Sequence, residues 1–198
     1  MAFAPSDAPT APTEVAAVKF VVAGGFGVGK TTFIGAVSEV RPLTTEAAMT
    51  TVSEGIDDTT HVAAKTTTTV ALDFGRISID PTLILYLFGT PGQERFGFMW
   101  DDLAVGAIGG IALVDTRRID DSFVAIDWFE ARKVPFVVGV NTFDGAEQFA
   151  LEEIREALGV PEAIPVLACD ARSKDQVKDV LVALVGHLAA GAGVAIDA

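Results

Sequence analysis

One cysteine, Cys169, among 198 residues leaves no internal disulfide and no cysteine-rich metal site, and it fits a reducing cytoplasm. Cations are scarce as well: 14 Lys and Arg stand against 27 Asp and Glu, a net charge of −13. A surface of that sign repels nucleic-acid phosphates and anionic lipid alike, so no nucleic acid partner is expected. Long apolar runs are missing too. Leu103–Val114 is too short for a membrane span and Val180–Ile196 is broken by glycine, which argues against direct membrane insertion. Met1–Thr13 is rich in Ala, Pro and Thr without the basic and apolar regions of a signal peptide. Ala2 follows Met1 and Ala195–Ala198 carries no cysteine, so no lipidation motif is present. Peripheral membrane recruitment would have to come through a partner.

Half the residues are hydrophobic, enough for one globular domain with a substantial core. The expected organisation is a flexible leader over residues 1–13, a domain over 14–190 and a tail over 191–198. Val15–Ala23, Thr66–Phe74, Ile77–Phe88, Ile108–Val114, Val134–Val140 and Ile164–Ala168 read as strands. The short Gly75–Arg76 link predicts a hairpin between the second and third of these, with Pro81 awkwardly inside the third. Lys30–Val40, Asp120–Arg132, Ala146–Leu158 and a last helix capped at Ser173 carry helical stripes. Arg41–Lys65 has no clear period and reads as a long functional loop. Strands alternating with helices predict an α/β fold: a mostly parallel sheet with one antiparallel hairpin and helices on both faces.

The first strand runs straight into Gly24–Gly25–Phe26–Gly27–Val28–Gly29–Lys30–Thr31–Thr32, which is Gly-x-x-x-x-Gly-Lys-Thr between a strand and a helix. In that context it is a phosphate-binding P-loop. Glycines let backbone N–H groups converge where a Cβ would block a phosphate, and the helix start adds its own unpaired donors. Gly24, Gly25, Gly27, Val28, Gly29, Lys30, Thr31 and Thr32 are the expected phosphate-binding residues. Lys30 supplies a point charge for the β- and γ-phosphates, and the Thr31 hydroxyl is a magnesium ligand. The fold class is therefore that of the P-loop nucleotide hydrolases.

Ligands of such sheets sit at the carboxyl ends of the strands, and the other strand ends carry matching chemistry. After the Ile77–Phe88 strand comes Gly89–Thr90–Pro91–Gly92–Gln93–Glu94–Arg95. Gly92 can bring its N–H to a γ-phosphate, and the Gln93 amide, both donor and acceptor, can orient an attacking water. Asn141–Thr142–Phe143–Asp144 leaves the buried Val134–Val140 strand. A carboxylate at Asp144 can accept from the guanine N1–H and exocyclic amine, a donor pair adenine lacks. Cys169–Asp170–Ala171–Arg172 ends the last strand, where the Ala171 N–H could meet the guanine O6.

These motifs, in this order, resemble those of the Ras-like small GTPases, from the P-loop to the last helix. Within that superfamily the Thr90–Pro91–Gly92–Gln93 segment is similar to the bacterial MglA-type and conservon GTPases. The resemblance implies GTP and GDP as ligands, Mg2+ as cofactor, and a roadblock-type protein as partner. It also makes Thr69 the switch threonine that binds magnesium and γ-phosphate, although Thr66, Thr67 and Thr68 lie beside it.

The chain departs from that pattern at four places. Gly89 stands where most of the family has Asp holding a magnesium-bound water, and Asp57 or Asp58 are candidate substitutes. Thr142 replaces a Lys whose alkyl chain covers the base, and Arg172 replaces a Lys in the last motif. Thr68 stands where MglA-type proteins carry an arginine, so no arginine finger is assignable within the chain. The resulting expectation is a GTP-dependent switch, slow without a partner, with Phe96, Phe98, Met99 and Trp100 either an effector surface or core. A nucleotide-binding scaffold without turnover and a P-loop ATPase or kinase are the rival readings.

Overall fold

The computed structural model describes residues 15–41, 45–49, 68–92 and 97–193, with backbone alone for 45–49 and 68–71. The expected leader 1–13, Asp57, Asp58, Thr66, Thr67, Gln93, Glu94, Arg95 and Phe96 all lie outside the described residues, as does most of the tail.

Among the described residues, seven strands form one sheet in the order β2-β3-β4-β1-β5-β6-β7. They are β1 Ala16–Ala23, β2 Thr45–Met49, β3 Thr68–Asp80, β4 Leu83–Gly89, β5 Gly109–Val114, β6 Phe136–Asn141 and β7 Val166–Cys169. From β4 to β7 every neighbouring pair is parallel, while β3 is antiparallel to β4 and β2 to β3. β5 and β6 are buried at every residue, as required of strands covered on both faces. One face packs Phe33, Ile34 and Val37 of α1 (Lys30–Val37) with Val177, Val180, Leu181 and Leu184 of α5 (Lys174–Gly191). The opposite core holds Trp100 of α2 (Phe98–Ala104), Ile126 and Phe129 of α3 (Asp120–Arg132), and Ile154 and Leu158 of α4 (Leu151–Leu158). None of the described helices is long and apolar enough to cross a membrane.

The mostly parallel α/β architecture and the helix Asp120–Arg132 stand as read from the sequence, but the hairpin turn does not. β3 runs unbroken through Gly75 and Arg76, and the chain reverses at Pro81–Thr82. There the Asp80 carboxylate accepts from both the N–H and the hydroxyl of Thr82, at 2.6 and 2.7 Å, a side chain closing its own turn. Gly75 serves packing instead, since a Cβ on it would lie 2.5 Å from the Ile34 side chain of α1. Three further differences concern element extent. β2 lies within the stretch read as a loop, α2 carried no legible stripe, and α4 starts at Leu151 rather than Ala146. Glu153 fixes that later start by accepting the Ala150 N–H at 3.0 Å.

Candidate nucleotide site

β1 lies between β4 and β5, so the loop leaving its carboxyl end opens at the point where successive connections diverge to opposite sides. Gly24, Gly27 and Gly29 all adopt positive φ, conformations that side chains resist. At Gly29 a Cβ would in addition lie 2.6 Å from the Asn141 amide nitrogen. Lys30 is buried and folds back over the loop, its Nζ donating to the carbonyls of Gly24 and Gly25 at 2.8 Å each. Burial pushes the Lys30 ammonium down from 10.5 to about 8, partly offset by the charge of Asp73. The next two residues, Thr31 and Thr32, face outward at the start of α1.

The residues at the carboxyl ends of β6 and β7 form two clusters. Asn141 is a buried tie: its Nδ2 donates to the Val28 carbonyl at 2.8 Å and its Oδ1 accepts the Ala171 N–H at 2.9 Å. The Ala171 N–H, which the sequence offers to a guanine O6, is bonded to Asn141 in this structure. Asp144 is exposed and takes a two-pronged bond from Arg172 at 2.8 and 2.9 Å. Arg172 also holds Asp170 through Nε and Nη2. The Arg172 guanidinium keeps both carboxyls below the ordinary carboxylate range. Behind this loop Arg117 lies over the Phe143 ring at 3.5 Å from its centroid, held by the buried Asp115 carboxylate.

At the end of β4 the turn through Gly92 presses against the P-loop. A Cβ on Gly92 would meet Lys30 Nζ and the Phe26 Cα, both at 2.8 Å. Trp100 anchors this turn from below by donating to the Pro91 carbonyl at 3.0 Å. It is buried edge-on against Trp128, whereas Phe98 is exposed. The aromatic cluster thus divides between core and surface. Thr69 lies in β3 opposite Ala48 of β2.

Two side chains that the sequence reading did not single out also belong here. Asp73 of β3 accepts the Thr31 hydroxyl at 2.7 Å. Arg118, just before α3, donates to the Phe26 carbonyl at 2.5 Å. A lone Asp within a strand and an Arg in a turn carry no motif signal.

A family described as "conserved hypothetical ATP binding protein" matches residues 22–191. The chain belongs to that family. An uncharacterized protein of Methanocaldococcus jannaschii is 30% identical over 129 residues, covering 64% of this chain and 71% of the relative. Among solved structures, the G domain of the T. maritima FeoB iron transporter superposes with a TM-score of 0.60 at 19% identity, covering 87% of this chain and 99% of that one. The FeoB G domain of Methanococcus jannaschii gives 0.57 at 13% identity, covering 87% and 97%. The chain therefore has the fold of a G domain.

Among the described residues no three His, Cys, Asp or Glu side chains converge on one point. The Thr31 hydroxyl and Asp73 carboxylate, two hard oxygen groups beside the P-loop, do fit magnesium, which favours few protein oxygens plus substrate phosphates.

Proposed function

We propose that this protein binds a guanine nucleotide and acts as a GTP-dependent molecular switch with slow intrinsic hydrolysis. The observation that carries the reading is the Asn141 tie, which fixes the phosphate loop at Val28 to the Ala171 loop beside the Asp144 segment. Phosphate recognition and base recognition are thereby held at a set separation.

On this reading Lys30 and the amides of Gly24, Gly25, Gly27, Val28, Gly29, Thr31 and Thr32 take the phosphates. Lys30 exchanges its carbonyl partners for phosphate oxygens, a stronger charge-assisted bond. Thr31 and Thr69 would hold Mg2+, which would supply positive charge to offset that of the phosphates. Gly92 donates its N–H to the γ-phosphate, and Gln93 orients the water. Asp144 reads the guanine edge, with Asn141, Ala171 and Arg172 shaping its surroundings. Loss of the γ-phosphate would release Arg41–Lys65 and Gln93–Trp100, the order-to-disorder device of switch loops. The Thr90–Pro91–Gly92–Gln93 likeness to MglA-type GTPases supports a role in bacterial signalling or polarity, with a roadblock-type partner that accelerates turnover.

The family's description favours a second reading, an ATP-binding protein. Asp144 speaks against it, because adenine offers no donor pair to a carboxylate. Incubation of purified protein with magnesium and either GTP or ATP, with phosphate release followed, tests the proposal. Slow release from GTP, abolished in Lys30→Ala, is expected. Release from ATP alone would establish the second reading, and none from either would leave a nucleotide-bound scaffold.

A further inference from the structure

Every nucleotide site that employs magnesium must pair the ion's charge with oxygen ligands and nearby anions. β4 ends in Gly89, which brings no side chain to the place beside the P-loop threonine. The space beside Gly89 is nevertheless filled. A Cβ built on Gly89 would lie 2.9 Å from the Asp73 Cβ and 3.2 Å from its Oδ2. The reason is register, since Asp73 of β3 sits directly opposite Gly89 of β4. The side chain therefore crosses one rung of the sheet and delivers its carboxylate to the Thr31 hydroxyl at 2.7 Å.

We propose that Asp73 is the positioning carboxylate of the magnesium site, supplied by β3 because Gly89 leaves β4 without one. This rests on the proposed nucleotide function. A threonine hydroxyl has one proton to give and two lone pairs to offer. With its proton committed to Asp73, the Thr31 oxygen keeps its lone pairs free for a metal ion. Asp73 also places a full negative charge beside that hydroxyl, which strengthens the hold on a divalent cation. Glycine at 89 is what this arrangement demands, because any larger residue there displaces the carboxylate.

The test uses full-length protein loaded with fluorescent GDP, with nucleotide release followed against magnesium concentration and Mn2+ binding followed by electron paramagnetic resonance. Asp73→Asn keeps shape and an acceptor for Thr31 but loses the charge. It should raise the magnesium needed for half-maximal retention by roughly 10–100-fold, the usual cost of removing an outer-shell partner, and weaken Mn2+ to match. A far-ultraviolet circular dichroism spectrum and a thermal unfolding midpoint matching those of the unaltered protein show that the fold is intact. The double variant Asp73→Gly with Gly89→Asp moves the carboxylate back one rung and should restore the metal requirement. An unchanged metal requirement in Asp73→Asn, or no restoration in the double variant, would overturn the proposal. Failure of the nucleotide reading would show itself differently, as unaltered protein that retains no guanine nucleotide at any magnesium concentration.

Discussion

Asn141, a residue only 5% exposed, donates to the carbonyl of Val28 across 113 positions of sequence, at 2.8 Å. Its other end accepts the Ala171 N–H, so one amide closes two buried backbone groups at once. Asn141→Leu strands both, and each unpaired buried group costs about 1–3 kcal/mol. A loss of about 2–6 kcal/mol in urea unfolding is expected on that basis. A variant as stable as the parent would mean that water or a shifted loop satisfies both groups.

Lys30 gives a pH signature. Its folded value, about 8, lies below the ordinary 10.5 because burial disfavours the ammonium. Below pH 8 the nucleotide-free fold carries a charge it resists. As pH rises from about 8 to 10.5 the folded lysine releases its proton while the unfolded one keeps it, so this cost disappears and stability rises. Comparing unfolding at about pH 7.5 and about pH 9.5 should show the parent gaining relative to Lys30→Met. Parallel changes in the two proteins would show that Lys30 does not titrate in this range.

Arg172 and guanine present the same kind of double donor to Asp144, and one carboxylate face accepts one fork. Arg172→Ala should therefore let a guanine nucleotide associate faster. It should also return the Asp144 carboxyl from its depressed value toward the ordinary one, visible by NMR titration. Both groups are exposed, so overall stability should barely change. Slower association in the variant would instead show Arg172 aiding the base.

Apolar runs made the central sheet legible in the sequence, because strands buried on both faces leave little room for polar residues. The P-loop was legible for a different reason: phosphate binding dictates glycine at fixed spacing. Asp73 was hidden by one misplaced turn. With the reversal put at Gly75–Arg76, Asp73 has no reason to face Gly89; with it at Pro81–Thr82, the register brings them together. A glycine inside a strand can signal either a bend or a close-packed helix, and only the neighbour Ile34 decides which. Arg118 was hidden because its bond to the Phe26 carbonyl spans 92 positions and belongs to no motif.

The most direct measurement is competitive binding of GDP, ADP and XDP to the unaltered protein and to Asp144→Asn. A phosphate tail at Lys30 with guanine at Asp144 predicts GDP tighter than ADP by more than about tenfold, and a preference for XDP in the variant. Equal binding of ADP and GDP, or a variant that still prefers GDP, would contradict it.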